Sequence, residues 1–228
     1  MKKIIITIDG PAASGKGRLA KYISKKWKLK HLDSGILYRS LALVLLEKKI
    51  NIGSVQELKG FIKSHNSLSF RKKLGLRSEI VSKIASKIAI YKFIRIYINQ
   101  FQRNFVKANS KFKGFVIDGR DIGSVVFKGA DLKLYIEVNL KNRAKRRYKQ
   151  LIDTGEKSIY PQIFKDIKLR DKKDKNRKNS PLVVPKGAKV IDNNGSFSQT
   201  KKNIDSLIKK IVWQNKLLVR YQTQSTMN

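Results

Sequence analysis

Residues 4–17 read IIITIDGPAASGKG, and this stretch decides the fold. Ile4–Ile8 is a short, mostly β-branched apolar run, the pattern of a strand buried on both faces in a parallel sheet. Gly10–Gly17 follows as a glycine-rich turn that fits the GxxxxGK core of a phosphate-binding loop. Leu19, Tyr22, Ile23 and Trp27 then recur at helical spacing, which predicts a helix from about Lys16 to Lys28. Strand, glycine loop and helix open a βαβ unit. The chemistry of the loop follows from its residue types. Glycines let the backbone fold tightly, so that successive N–H groups and the helix N-terminus converge on phosphate oxygens. Lys16 is placed to reach the β- and γ-phosphates. Position 17 is glycine where many such loops carry the Ser or Thr that binds magnesium.

Working outward, Lys30–Leu32 reads as a second short strand that ends in Asp33-Ser34-Gly35, and Leu37–Leu46 as a helix. Asn51–Gly75 is polar and punctuated by Gly and Ser, with a strand-like piece at Leu68–Phe70, and reads as an excursion from the core. Ile80–Ile88 and Ile94–Phe105 carry helical periodicity on either side of a bend. Gly114–Gly119 reads as a buried strand ending on Asp118, and Leu132–Val138 as another. Asn142–Leu151 is a basic helix and Phe164–Arg170 a helical candidate. Asp171–Asn179 has no apolar residue and reads as a mobile, solvated segment. Ala188–Ile191 supplies the last strand, Ile204–Val212 a closing amphipathic helix, and the last eight or so residues read as frayed. Strands alternating with helices predict an α/β fold, a parallel sheet with helices on both faces.

Composition narrows the function. The 228 residues, 41% hydrophobic and 30% charged, suffice for one core domain with smaller inserted pieces. With no cysteine, disulfides, thiolate nucleophiles and Cys-ligated zinc are excluded. With two histidines, His31 and His65, a multi-histidine metal site is excluded as well, and both are read as structural. No segment approaches the ~18 apolar residues of a membrane span. The N-terminal run is interrupted by Asp9 and lacks a cleavage site, so a cytoplasmic, soluble protein is expected. The formal net charge is +36, spread from Lys2 to Lys216. Such a charge points to a polyanionic partner, or to lysine used as the default surface residue, and predicts non-specific nucleic-acid binding at low salt.

Five blocks together resemble the bacterial cytidylate kinase family of nucleoside-monophosphate kinases. They are ITIDGPAASGKG at 6–17, LDSGILYR at 32–39, DGRDIGSVVF at 118–127, RAKRRYKQL at 143–151 and RDKKDKNRKNSPLV at 170–183. The block DGRDIG followed by VVF is more specific than the phosphate loop alone. The resemblance implies a five-stranded parallel sheet with helices on both faces, of the P-loop NTPase kind, with a monophosphate-binding insert and a short lid. It divides the single kinase domain into a core of 1–50, 96–152 and 181–228, an insert of about 51–95 and a lid of about 153–180. It implies transfer of the terminal phosphoryl group of ATP to CMP or dCMP, with Mg2+ accompanying ATP, in a monomer without membrane or specific nucleic-acid partners.

The resemblance also implies site residues. ATP would be held by Gly10, Pro11, Ala12, Ala13, Ser14, Gly15, Lys16, Gly17 and Arg18. The CMP phosphate would meet Arg39, Arg120 and Arg177, with Ser34 helping to position the acceptor. The base would be read by Ser86, Arg95 and Asp121, and the sugar held by Asp174 with Arg170 near it. Lys16, Arg120 and Arg177 would act in catalysis. The chemistry agrees. The acceptor is a phosphate oxygen, anionic at neutral pH, so the reaction needs no general base. It rests on alignment and charge neutralisation, which cations supply. Guanidinium forks bind phosphate bidentately, and a carboxylate accepts from cytosine N4–H.

Arg143, Arg146 and Arg147 serve either ATP or solvent, while Trp27 and Phe101 sit at core positions. Three features depart from the family pattern. Arg18 stands where Thr is usual, Asn66–Gly75 looks short for the insert, and Lys172, Lys173 and Lys175 dilute the Arg and Asp of the lid. The alternatives are a same-fold kinase for another nucleoside monophosphate, such as UMP or AMP, and a basic nucleic-acid-binding protein with a degenerate loop. For the latter the charge is the sole argument, since no helix-turn-helix, zinc or RNA-binding signature is present.

Overall fold

The β-branched runs settle side by side because helices packed on the two sides of a parallel sheet bury both of their faces. The computed structural model describes residues 3–65, 75–76, 78–153 and 155–225. In it β1 (Ile4–Asp9) lies between β3 (Gly114–Gly119) and β4 (Leu132–Glu137). β2 (Lys30–Asp33) flanks β3, and β5 (Lys189–Asp192) flanks β4. All pairings are parallel and the order is β2-β3-β1-β4-β5. The register sets Ile8 and Asp33 beside Asp118, and Asp9 beside Gly119. Asp9, Asp33 and Asp118 therefore share the carboxyl-terminal edge, where parallel sheets place ligands.

Alternation along the strands divides the core between two faces. Ile6, Ile8, Val116, Leu134 and Ile136 pack on Leu19, Ala20 and Ile23 of α1 (Lys16–Trp27). The same cluster takes Ile204 and Ile208 of α8 (Phe197–Ser225). On the opposite face Phe115 and Ile117 meet Ile122 and Val126 of a π-helical turn (Ile122–Val126) and Phe105 of α5 (Lys92–Ala108). Phe115 is fully buried, and its truncation to Ala costs about 3–5 kcal/mol.

A second cluster joins α2 (Ser34–Glu47), α3 (Val55–Ser64), α4 (Glu79–Ile88) and α5 through Leu41, Leu45, Leu58, Ile88, Ile94 and Ile98. A smaller one joins α6 (Leu140–Asp153) to α7 (Tyr160–Asn176) through Ala144, Leu151, Ile163 and Ile167. Helix starts follow local chemistry. Asp33 caps α2, Ser54 caps α3 and Ser78 caps α4, each accepting a backbone N–H with its side-chain oxygen. Phe101 packs against the second cluster and Trp27 against the first, both half-buried.

Four expectations need correction. The polar stretch after residue 51 contains α3, whose Leu58 and Phe61 are buried. The charged run 171–179 is not a mobile segment: α7 continues through it to Asn176, because Asp171 and Asp174 each accept a buried ion pair described below. The second helix begins at Ser34, three residues before its apolar run, because Asp33 caps it. The closing helix extends to Ser225, past the expected frayed boundary. The strand-like piece at Leu68–Phe70 lies outside the described residues, and so does most of the stretch expected to be a short insert. Among the described residues, no helix is long and apolar enough to cross a membrane.

Candidate active site

The loop Gly10–Gly17 joins β1 to α1 at the carboxyl edge of the sheet. Gly15 has φ +87°, and a Cβ there would stand 2.7 Å from Asn193 Nδ2, so both conformation and space require glycine. Asn193 sits after β5 and is buried. Its Nδ2 donates to the Ser14 carbonyl at 2.8 Å, and its Oδ1 accepts from Thr200 Oγ1 at 2.9 Å. Arg143 fastens the loop from the other side. It is buried, donates from Nε to Val138 O at 3.0 Å and from Nη1 to Ala12 O at 3.3 Å, and pairs with Asp171 at 2.5 Å. The phosphate loop is thus held by α6 and by the turn after β5 before any ligand arrives.

Lys16 opens α1 and donates from Nζ to the Pro11 carbonyl at 3.0 Å. Burial, and then the nearby Arg120, push its ammonium down to about 7. A lysine so destabilised as a cation is short of countercharge. Ser14 is buried, and its Oγ has no hydrogen-bond partner. Asp118 stands 3.6 Å from where a Gly17 Cβ would lie, and its Oδ1 is 2.7 Å from His31 Nε2.

Asp9, the last residue of β1, is fully buried. It accepts the backbone N–H of Ile122 at 2.8 Å and of Gly123 at 2.7 Å. Desolvation raises its carboxyl to about 6 even though these two N–H groups lower it. The strand that ends in the phosphate loop therefore also fixes the turn that carries Arg120 and Asp121.

Around Lys16 gathers a set of guanidinium groups. Arg39 Nη2 lies 3.3 Å from Asp33. Arg120 Nε donates to Asp174 Oδ2 at 3.1 Å, and Arg177 Nη1 to Asp174 Oδ1 at 3.3 Å. Arg177 Nε also donates to Ser180 O at 2.5 Å. Burial works against the charge of Asp174, but Arg120, Arg170 and Arg177 outweigh it and hold the carboxyl below its ordinary value. Arg170 is pushed down to about 10, first by burial and then by Arg120. Arg170 Nε and Arg177 Nη2 are buried donors with no acceptor. Unfilled buried donors on clustered cations mark a place for an anion rich in oxygen.

Deeper in, Arg95 Nη2 meets Asp121 Oδ2 at 2.5 Å, with both side chains buried. Arg95 Nη1 donates to Ala89 O at 2.9 Å, and the guanidinium lies 5.7 Å from the Tyr38 ring centroid. Burial pushes the Tyr38 hydroxyl up to about 12, so it stays neutral.

The structure thus brings together Lys16, Arg39, Arg120, Arg170, Asp174 and Arg177, with Arg95 and Asp121 beside them. Ser34 is buried against Gly119. Ser86 is half-buried on α4, in the turn before Ala89. Arg18 turns away from the cluster, its guanidinium 3.8 Å above the Phe197 ring. Sequence reasoning missed Asn193, Tyr38 and the buried role of Arg143. For Arg143 the signal was available, since it opens RAKRRYKQL directly after a strand and helix start.

Three ties join α4 and the turn after it to α6, to α7 and to the segment after α7. Glu79 of α4 pairs with Arg147 of α6 at 3.1 Å, and Lys83 of α4 with Asp166 of α7 at 3.7 Å. Asn179 Nδ2 donates to Ile90 O at 3.3 Å. What the arrangement can do chemically is hold two phosphorylated molecules in one cationic enclosure.

Comparison with known proteins agrees. The family model described as cytidylate kinase matches residues 6–215. The cytidylate kinase of Bartonella tribocorum is 37% identical over 222 residues, which cover 92% of this chain and 98% of that one. The cytidylate kinase of Rickettsia akari is 40% identical over 191 residues, 84% of each chain. A crystal structure of TT1252 from Thermus thermophilus aligns with TM-score 0.50 at 16% identity, covering 92% of this chain and 98% of that one, which speaks to the fold alone. With its family model spanning the strands, the phosphate loop and the arginine cluster alike, the chain belongs to the cytidylate kinase family.

Proposed function

We propose that the chain transfers the terminal phosphoryl group of ATP to CMP or dCMP, giving ADP and CDP or dCDP. The observation that carries this reading is the pair of unfilled donors, Arg170 Nε and Arg177 Nη2, in an enclosure that also holds the charge-starved Lys16. Donor phosphates occupy the loop Gly10–Gly17 against Lys16. The acceptor phosphate is taken by Arg39, Arg120 and Arg177, whose forks fix its oxygens in line with the donor. Lys16, Arg120 and Arg177 neutralise the charge that spreads over the phosphoryl group in transit. Asp174 holds Arg120 and Arg177 at a fixed separation and is placed to accept from the sugar, with Arg170 at its side. Ser34 orients the acceptor.

Asp121 accepts from the cytosine amino group, and Arg95 donates to the base, with Ser86 completing the set. Uracil presents a carbonyl oxygen where cytosine has N4–H, and Asp121 repels it.

Mg2+ fits this site in the manner usual for nucleotide-dependent enzymes. Among the described residues no three of His, Cys, Asp and Glu group into a cage. The ion typically takes one or two carboxylates, waters and substrate phosphates. Asp118, buried at the mouth of the loop, is the carboxylate that would hold it, with Asp33 across the β2–β3 register. Bound there with ATP, Mg2+ would supply charge neutralisation on the phosphates.

The test is ADP release from Mg-ATP with CMP, dCMP, UMP, AMP or GMP as acceptor, beside Lys16→Ala. Strong preference for CMP and dCMP with an inactive variant supports the reading. Preference for UMP or AMP would keep the phosphate chemistry and reject the base assignment.

A further inference from the structure

The two ends of α1 serve different surroundings. Lys16 at its start belongs to the phosphate loop, while Lys26 and Trp27 lie at its far end. Twelve helical residues set the two about 18 Å apart. At the far end α1 meets α8 along a shallow groove whose two hollows measure about 410 and 480 Å³. Lys209 and Lys210 line both hollows. Lys26 and Lys202 stand in one, and Trp27, Val212 and Trp213 in the other.

The groove is cationic. Lys202, Lys209 and Lys210 are exposed, and among the described residues none of them has an ion-pair partner. The one carboxylate among the lining residues, Asp205, already accepts from Tyr22 Oη at 2.5 Å, Lys26 Nζ at 2.7 Å and Trp27 Nε1 at 3.2 Å. The groove is also aromatic. Both tryptophans of the chain stand here, and Trp213 is 64% exposed. An indole joins an apolar ring to a polar N–H, a combination suited to a boundary between apolar matter and water.

α8 runs on past this point. Val212 is the last of its described side chains to pack on the sheet cluster, yet the helix continues to Ser225. The resemblance that implies no membrane partner does not reach this tail, since the family model ends at residue 215. The sequence beyond it, KLLVRYQTQSTMN, carries Leu217, Leu218 and Val219 between Lys216 and Arg220 and has no acidic residue.

Three kinds of occupant would cover such a surface. A second copy of the chain would set the same lysines against themselves. A nucleic acid would satisfy the lysines and stack on the indoles, but it has no saturated chain to match Val212 and the apolar run of the tail. A bilayer containing acidic lipids supplies phosphates for the lysines and acyl chains for the apolar residues.

We infer that the far end of α1 and the exposed side of α8 form a docking surface for an anionic membrane, along which α8 lies without crossing it. Trp213 seats at the level of the lipid headgroups, and Lys202, Lys209 and Lys210 meet their phosphates. The phosphate loop, at the opposite end of α1, stays open to solution. Docking there is independent of the kinase activity proposed above.

The experiment sediments the full chain with vesicles of phosphatidylcholine alone, or mixed with phosphatidylglycerol, at physiological salt, and follows tryptophan emission. Wild type is compared with Lys209→Glu/Lys210→Glu, with Trp213→Ser and with a control of equal charge change, Lys59→Glu/Lys63→Glu, on α3 in the separate helix cluster. All of these side chains are exposed, so Tm should hold. Wild type is expected to bind the mixed vesicles and not phosphatidylcholine, with its emission moving to shorter wavelength. Lys209→Glu/Lys210→Glu and Trp213→Ser should each weaken binding about tenfold or more, and the control less than about threefold. Absence of binding to the mixed vesicles overturns the assignment, and so does an equal loss in the control, which would reduce the effect to net charge. Tighter binding of polyuridylic acid than of vesicles, lost in Trp213→Ser, would give the surface to single-stranded nucleic acid instead. A dimer in sedimentation equilibrium that Trp213→Ser dissolves would give it to a second copy.

Discussion

Asp121 Oδ2 lies 2.5 Å from Arg95 Nη2, an ion pair between two buried side chains at the carboxyl end of β3. A carboxylate has about four acceptor sites, so one held charged by a buried guanidinium keeps capacity to accept a further donor from a ligand. Removing it outright by Asp121→Ala strands the buried Arg95 and costs about 3–5 kcal/mol of stability. Asp121→Asn keeps the shape and is the cleaner probe. It is expected to raise KM for CMP about tenfold or more, the scale set by losing a base-reading pair. KM for ATP should hold. Steady-state kinetics with CMP and UMP check this, and an equal loss for both would sink the base-reading role of Asp121.

Arg120 and Arg177 share one carboxylate, Asp174, through Nε and Nη1. Replacing either by lysine retains charge and loses the fork. Arg120→Lys and Arg177→Lys are each expected to lower kcat by about a hundredfold, the scale of removing one preorganised donor. Tm should move little. Unchanged kcat with raised KM for CMP would reassign them to ground-state binding alone.

Asp9 joins the phosphate-loop strand to the acceptor loop, and its carboxyl is raised from 3.8 to about 6 by desolvation. Between these values the folded chain binds more protons than the unfolded one, so the contribution of Asp9 to stability falls as pH rises through that window. The loss amounts to about 3 kcal/mol above pH 6. Asp9→Asn removes the titration but can accept only one of the two N–H groups of Ile122 and Gly123. The difference in unfolding free energy between wild type and Asp9→Asn should therefore shift toward the variant from pH 4 to pH 7, as read by urea denaturation. A pH-independent difference would count against a titrating Asp9.

Lys16 offers a direct reading of ligand charge. Its ammonium is pushed down to about 7 by burial and by Arg120. Donor phosphates supply the missing countercharge and raise it again. At pH 8 binding of ADP is expected to take up a fraction of a proton, which disappears in Lys16→Ala. Calorimetry in two buffers of different ionisation enthalpy measures it, and no uptake in wild type would contradict the prediction.

The sequence carried the parts of this molecule whose physics is local. A β-branched run before a glycine loop and a helix can hardly be anything but β1, the loop and α1. Arg120 and Asp121 were legible because they follow a buried strand. The misses share a different cause. The continuation of α7 past Arg170 was hidden because Asp171 and Asp174 are stabilised by Arg143 and Arg120, both distant in the chain, and a charge run with no visible partner looks solvated. The π-helical turn was hidden because it depends on Asp9, 113 residues before Ile122. Asn193 gave no signal of its own, since its worth lies in the Ser14 carbonyl it holds.

The ties from Glu79 and Lys83 of α4 to Arg147 and Asp166 have a consequence at high salt. All four side chains are at least one-fifth exposed. Pairs of that kind are weak, and dissolved ions shield them further. α4 is therefore latched to α6 and α7 by contacts that ionic strength loosens, while the ion pairs of Asp121 and Asp174 are more sheltered from the same ions. Added salt should therefore loosen the hold of α4 on α6 and α7 before it disturbs the arginine cluster.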